Sequence, residues 1–291
     1  MRLTRIAAVL VMTLMSFAHT VDRVGADVIA SPTWAPAATA PIHPGVQTTT
    51  GSGGCTANFV FYDATNVYIG QAAHCSSQGL PNDTNGCTAP VLPLGTPVQI
   101  DGATAPGTVV YNSWIAMREA GVQDSNLCFG NDFALVKLDP ADHARVNPSI
   151  PAWGGPIGLD PSAGGGEAVY AYGNSSLRGG IGTLSRQFGF AVFESNGGWT
   201  HTVYMLTPGI PGDSGSAYMG SNGGALGVLS TISATLSNQV ADLSRALQFM
   251  RDHSDLDTVQ LANGTVPFSG ALLNQATLGT SALSVKRVLG G

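Results

Sequence analysis

The chain has 291 residues, of which 44% are hydrophobic and 10% carry a charged side chain, and its formal net charge is −6. A sequence this apolar does not belong to the intrinsically disordered class, and its length is sufficient for one large or two small domains with a buried core. The negative charge and the lack of a basic stretch argue against a nucleic-acid partner.

The N-terminus has the features of an export signal. Arg2 and Arg5 precede a mostly apolar run over residues 6–18, which is too short to span a bilayer, and small residues follow it. We expect cleavage after Ala26, which would remove residues 1–26 and give a secreted, extracellular protein without stable membrane association. Cleavage closer to the apolar run and a buried N-terminal helix are the alternative interpretations.

Residues 27–54 include the segments SPTWAPAATAPIHPG and TTTGSGG, which are rich in Pro, Ala, Thr and Gly and show little periodicity. This composition is typical of extended chain. We therefore interpret residues 27–54 as an extended arm or a short propeptide that precedes the folded part.

Short apolar runs typical of β-strands follow in two groups, with Gly, Pro, Asn and Asp between them. The first group covers residues 57–62, 67–70, 98–100, 108–111 and 133–138. A proline-rich break over residues 147–156 comes before the second group, which covers residues 168–172, 188–193, 200–206, 217–219 and 225–232. The pattern predicts an all-β protein with two halves, over residues 55–150 and 151–253.

One helix is predicted after the second group of strands. Val240, Leu243, Leu247 and Met250 recur at steps of three and four residues, which places them on one helix face. Ser237 or Asn238 could cap its start. Residues 254–291 remain as a C-terminal extension, in which TVQLANGTVPF could form one more strand.

The four cysteines are Cys55, Cys75, Cys87 and Cys128. An even number in an exported protein predicts two disulfides, for which three pairings are possible. Metal binding is the alternative, but the sequence has no Cys-x-x-Cys or His-Glu-x-x-His motif. We expect neither a metal nor an organic cofactor.

Three segments carry the side chains that nucleophilic catalysis by a serine requires. His74 lies in YIGQAAHCSS, Asp132 lies in NDFALVKLD, and Ser214 lies in PGIPGDSGSA. A serine hydroxyl is a poor nucleophile near neutral pH unless a base such as histidine takes its proton and an acid orients that base. Each residue alone has an ordinary structural interpretation, but the chain order His, Asp, Ser is that of a known catalytic triad.

These segments resemble the trypsin/chymotrypsin family of serine proteases and are most similar to its secreted actinobacterial type. The residues that carry the resemblance are AAHC around His74, NDFALVKL around Asp132 and GDSGS around Ser214. It extends over about residues 52–250. It implies two six-stranded antiparallel β-barrels with a C-terminal α-helix and an active site between the barrels. It also implies a monomer that hydrolyses polypeptide substrates through an acyl-enzyme.

The resemblance assigns roles to further residues. It implies a disulfide between Cys55 and Cys75, and with it Cys87–Cys128 as the second pair. It implies that the backbone amides of Gly212 and Ser214 form an oxyanion hole, whose donors each contribute a factor of ~10²–10³ in rate.

The resemblance also places the substrate cleft. GVLST is similar to the strand that lines it, which would place Ser230 near Asp132 and would turn Thr231 and Ile232 toward substrate. Pro208 stands where trypsin-like members have an acid, so Lys or Arg specificity is disfavoured. A plain core strand is the alternative interpretation of GVLST.

The sequence also departs from the family pattern. Ser216 replaces the commoner glycine, and the Ile-Val-Gly-Gly start of activated animal members is missing. Asp213 would then need another partner, for which Arg178 and Arg186 are candidates, because an unpaired buried carboxylate is costly. A solvated surface arginine is the alternative interpretation of both.

The role of His201 and the overall function each have an alternative interpretation. His201 could bind an acidic substrate side chain, as in glutamyl-specific relatives, or could be an ordinary core or surface histidine. A non-catalytic binding protein on the same fold is the alternative function. An esterase is disfavoured because GDSGS is not the G-x-S-x-G elbow.

Overall fold

The computed structural model describes residues 29–79 and 83–271. The expected export signal and the part of the C-terminal extension beyond residue 271 lie outside these ranges. Within them, no helix has the length and apolar character needed to cross a membrane.

The described chain is built mainly from β-strands, joined by short helices. The strands are β1 (Gln47–Thr50), β2 (Gly53–Thr56), β3 (Val60–Tyr62), β4 (Val67–Gln71), β5 (Pro97–Ile100), β6 (Gly107–Asn112), β7 (Ala134–Lys137), β8 (Ala168–Tyr172), β9 (Arg186–Ser195), β10 (Thr200–Met205), β11 (Ala217–Met219), β12 (Ala225–Ile232), β13 (Asn238–Asp242) and β14 (Gln260–Leu261). The α-helices are α1 (Ser113–Glu119), α2 (Ser125–Gly130), α3 (Gly182–Ser185) and α4 (Leu243–Asp252).

The second half forms a closed antiparallel barrel with the strand order β10-β13-β12-β11-β8-β9, which closes where β9 pairs with β10. Its interior is filled by the inward side chains of alternating strand positions. The buried side chains of this barrel include Tyr218, Leu226, Leu229 and Val240. The predicted six-stranded second barrel is therefore present.

The first half differs from the predicted closed six-stranded barrel. Its described strands form one curled sheet of eight, in the order β14-β3-β4-β7-β6-β5-β1-β2, with β14 and β2 at the two edges. The difference arises because the β1–β2 hairpin and the late strand β14 add to this sheet instead of closing it.

Strand β1 lies within the segment that the sequence predicted to be an arm or propeptide. It pairs with β2 on one side and with β5 on the other. Its Thr48 and Thr50 are buried, and the Thr48 hydroxyl donates to Oε1 of Gln71 at 2.9 Å. Three consecutive β-branched threonines favour a strand, whereas the flanking glycines and prolines suggested extended chain.

Helix α4 begins later than the sequence predicted. Residues 238–242 form β13, and the side chain of Asp242 caps the helix by accepting from the amide of Arg245 at 2.7 Å. Val240 therefore belongs to the barrel core, while Leu243, Leu247 and Met250 form the buried helix face.

The chain after α4 returns to the first half. β14 pairs with β3, and the amide of Thr265 donates to Oγ of Ser149 at 2.9 Å. Phe268 packs edge-on against Tyr170, with ring centroids 5.2 Å apart. The described part of the extension, residues 254–271, thus contacts both the sheet and the barrel.

Candidate active site

His74 and Asp132 are brought together at the end of two neighbouring strands. His74 lies in a short 3-10 helix directly after β4, and Asp132 lies two residues before β7, which pairs with β4. Nδ1 of His74 is 2.7 Å from Oδ2 of Asp132, and the backbone amide of His74 donates to Oδ1 at 2.9 Å. The carboxylate thus fixes both the position and the orientation of the imidazole.

A third contact completes the environment of Asp132. The hydroxyl of Ser230, in β12, donates to Oδ2 of Asp132 at 2.6 Å. Burial raises the pKa of Asp132, but the charge of His74 and the hydrogen bonds from His74 and Ser230 outweigh it, so that the pKa lies below the usual range. Asp132 is therefore ionised at neutral pH.

The imidazole of His74 is three-quarters buried, with 25% of its side chain exposed. Burial lowers the pKa of His74, but the negative charge of Asp132 and the hydrogen bond to it have the larger combined effect and raise the pKa above its ordinary value. With Nδ1 bonded to the carboxylate, the neutral tautomer that donates from Nδ1 leaves Nε2 as a proton acceptor.

Ser214 lies in a tight loop that the first half holds in place. The amide of Thr56 donates to the Ser214 carbonyl at 2.8 Å, and Nδ2 of Asn58 donates to the Gly215 carbonyl at 3.0 Å. Gly215 has a φ of +85°, and a Cβ there would lie 2.7 Å from the Thr56 carbonyl oxygen. Only glycine therefore fits at this close approach.

His74 and Ser214 line the same cleft, whose volume is about 630 Å³. No hydrogen bond joins their side chains within the described residues. In proteins without bound substrate, hydrogen bonds between reacting side chains are often long, and they tighten when substrate binds. The missing bond between His74 and Ser214 is therefore compatible with proton transfer between them.

The backbone amides of Gly212 and Ser214 lack a hydrogen-bond acceptor among the described residues. In the same loop, the amide of Asp213 donates to the Ile210 carbonyl and the amide of Gly215 donates to the Leu229 carbonyl. Gly212 has a φ of +95°, a region that L side chains rarely adopt. Two unpaired amides beside a serine are the arrangement that stabilises a developing oxyanion.

Asp213 is completely buried, and Arg178 is its partner. Nε of Arg178 lies 3.1 Å from Oδ1 of Asp213, and Nη2 bonds to Oδ2. The amides of Ser175 and Ile210 donate to the same carboxylate at 2.9 and 3.0 Å. Arg186, the other candidate, instead lies over the Trp153 ring at 4.1 Å.

The cleft wall is formed partly by the residues that the sequence suggested. Thr231 and Ile232 line it, together with Leu229 and Ile210. Pro208, which the sequence also placed in the cleft, is not among its lining residues. The Pro208 carbonyl accepts from Nη2 of Arg178 at 3.2 Å.

His201 lies away from the cleft and is 1% exposed. Its Nε2 is 2.9 Å from Oδ2 of Asp242, whose other oxygen caps α4. The structure therefore places His201 in a buried pair that joins β10 to the start of α4, and not where it could bind a substrate side chain.

The structure has disulfides between Cys55 and Cys75 and between Cys87 and Cys128. Among the described residues, Cys55, His74 and Cys75 are the group whose atoms lie close enough to hold a metal. Because both sulfurs are in the disulfide, this group offers no thiolate ligand.

Sequence reasoning did not identify the residues that anchor the serine loop. Asn58 lies 157 residues before its partner Gly215, and Thr56, whose hydroxyl donates to the Gly212 carbonyl at 2.8 Å, lies 156 residues before that glycine. Thr56 ends β2 and Asn58 follows it, and a polar residue at the end of a strand does not indicate such a distant partner.

No protein-family model and no curated protein matches the sequence. Among solved structures, Thermobifida fusca Protease A is 17% identical and superimposes with a TM-score of 0.50, covering 77% of this chain and 99% of that one. The likeness shows that the chain has a chymotrypsin-like protease fold.

Two further solved structures are similar at lower scores. A glutamic acid specific serine protease is 17% identical, with 76% of this chain and 100% of that one covered and a TM-score of 0.49. Cellulomonas bogoriensis chymotrypsin is 16% identical, with 76% and 98% covered and a TM-score of 0.45.

Proposed function

We propose that the protein is a serine endopeptidase of the trypsin/chymotrypsin type, in which Ser214 is the nucleophile, His74 the general base and Asp132 the residue that orients the base. Ser214 attacks the substrate carbonyl while Nε2 of His74 takes its proton. The protonated imidazole then returns the proton to the leaving amine, and water hydrolyses the acyl-enzyme by the same steps.

The observation that carries the proposal is that His74, bonded to Asp132, lines the same cleft as Ser214 and the loop with the unpaired amides of Gly212 and Ser214. The carboxylate stabilises the imidazolium as it forms, and the two amides would stabilise the tetrahedral oxyanion. A non-catalytic binding protein on this fold has no need of this combination.

The cellular setting is part of the proposal. The N-terminal composition and the two disulfides favour an exported protein that works outside the cell. We propose the secreted actinobacterial type and a monomer that acts on polypeptides without a metal or organic cofactor.

Labelling with a fluorophosphonate probe tests the proposal. We expect the mature protein to be labelled, because the probe reacts with an activated serine. We expect His74→Ala to abolish labelling, because His74 is the base proposed to activate Ser214. Casein hydrolysis then distinguishes a peptidase from an esterase. An unlabelled parent protein that is folded would contradict the proposed function and favour the binding protein.

The pH dependence of kcat/KM should report the raised pKa of His74. Protonated His74 cannot accept the serine proton, so activity falls as the pH falls through this pKa. We therefore expect the acidic limb to have its midpoint above about 6.5, the ordinary value for imidazole. His253→Gln removes an exposed imidazole elsewhere and should leave the limb in place. A parent midpoint below about 6 would contradict the prediction.

Cleavage specificity should favour a small or medium apolar residue immediately before the scissile bond. Ile210, Leu229 and Ile232 line the cleft, and no acidic side chain does so among the described residues. A peptide library read by mass spectrometry tests this, and cleavage mainly after Lys or Arg would be the contrary result.

A further inference from the structure

A second cavity opens beside His74, on the side away from the Ser214 loop. Its volume is about 250 Å³. Gly53, His74, Thr84 and Thr231 line both this cavity and the cleft. A polypeptide bound across His74 and Ser214 would therefore present the side chain of a residue close to the scissile bond to this second cavity.

Asp83 supplies a carboxylate to this cavity. The side chain is half-buried, and Oδ1 accepts one long hydrogen bond, from the amide of Asn85 at 3.4 Å. Within residues 29–79 and 83–271, no lysine or arginine lines the cavity and no cation forms an ion pair with Asp83. At a pH where His74 is neutral, the carboxylate therefore faces the cavity without a balancing positive charge from the described residues.

The other side chains of the cavity do not offer a second free carboxylate. Asp132 also lines it, but this side chain is buried and already accepts from the His74 backbone, the imidazole and Ser230. Trp114 adds an apolar wall. An apolar wall together with one unpaired carboxylate suits a side chain with an aliphatic stem and a cationic end.

We infer that Asp83 is a specificity-determining residue, which selects a lysine or arginine side chain at a substrate position next to the apolar residue preceding the scissile bond. The inference rests on the proposed endopeptidase function. The substrates would then be polypeptides in which the apolar residue preceding the scissile bond has a lysine or arginine as its neighbour. The His74 side of the site, and not the pocket of the cleaved residue, then supplies the charge selectivity.

The test compares the parent with Asp83→Asn on peptide pairs that differ only by lysine or norleucine at each position flanking the cleaved residue. At low salt and at a pH above the His74 pKa, we expect the parent to prefer lysine at one flanking position by about fivefold in kcat/KM. Asp83→Asn should reduce this ratio to about one, and added salt should reduce it in the parent.

Asp101→Asn is the matched control, because it removes one exposed carboxylate in the loop between β5 and β6, outside both cavities. It should keep the lysine preference. An equal ratio in the parent and in Asp83→Asn would overturn the inference while leaving the proposed function intact, since both proteins would still cleave and label with the fluorophosphonate. Absence of labelling in the folded parent would instead contradict the proposed function.

Discussion

Ser214→Ala is expected to lower kcat/KM for peptide hydrolysis by on the order of 10⁴ to 10⁶, because the oxygen that forms the acyl-enzyme is removed. Substrate binding should change little, since the cleft wall of Leu229, Thr231 and Ile232 remains in place. The residual rate would come from the unpaired amides of Gly212 and Ser214, which alanine at position 214 retains. Single-turnover kinetics with purified protein measure the loss.

Ser216→Ala provides the matched control two residues further along the same loop. The hydroxyl of Ser216 is buried and has no hydrogen-bond partner among the described residues. Its removal should therefore leave the peptidase rate within about twofold of the parent, as expected for a conservative change outside the proposed machinery. If Ser214→Ala kept a rate close to that of Ser216→Ala, another nucleophile would have to be responsible.

Arg178→Met is expected to destabilise the protein by about 3–5 kcal/mol, because it leaves the buried carboxylate of Asp213 without its cation. The substitution also removes the donors to the carbonyls of Leu184 and Pro208, which hold the loop leading to Ser214. Peptidase activity should fall together with stability. Denaturant unfolding followed by tryptophan fluorescence measures the change.

Two variants separate the ion pair from general damage to the site. Arg178→Met combined with Asp213→Asn removes both charges and should recover part of the lost stability. Arg186→Met removes an arginine that lies over Trp153 and should cost about 1 kcal/mol or less. An Arg178→Met protein as stable as Arg186→Met would show that the ion pair does not hold the fold.

The sequence predicted the strands of the second half well, because their signals are local. Residues 168–172, 217–219 and 225–232 were predicted with the bounds that the structure has. Each run combines β-branched, aromatic or small apolar residues with glycine or serine at its ends, so the strand and its limits are visible in a short window. The segments around His74, Asp132 and Ser214 could be identified for the same reason.

Features that depend on distant partners could not be predicted in this way. Residues 238–242 lie directly before α4 and share its apolar spacing, so that β13 was included in the helix. The pairing of Asp213 with Arg178 and not with Arg186 depends on how residues 35 positions apart meet in the fold. His201 has a partner 41 residues later, and no local pattern distinguishes it from a ligand-binding histidine.

Because the chain returns to the first half after α4, one edge of the first sheet stays uncovered during synthesis until β14 has been made. β3 has one neighbour in β4, and among the described residues its other edge is covered by β14 and by the amide of Ala262, which donates to the Val60 carbonyl at 2.9 Å. Until residues 260–262 emerge, the half that was made first carries an open hydrogen-bonding edge that another chain could occupy. The last part of the described polypeptide thus protects the earliest part from self-association, and a nascent chain lacking it is vulnerable for as long as synthesis continues.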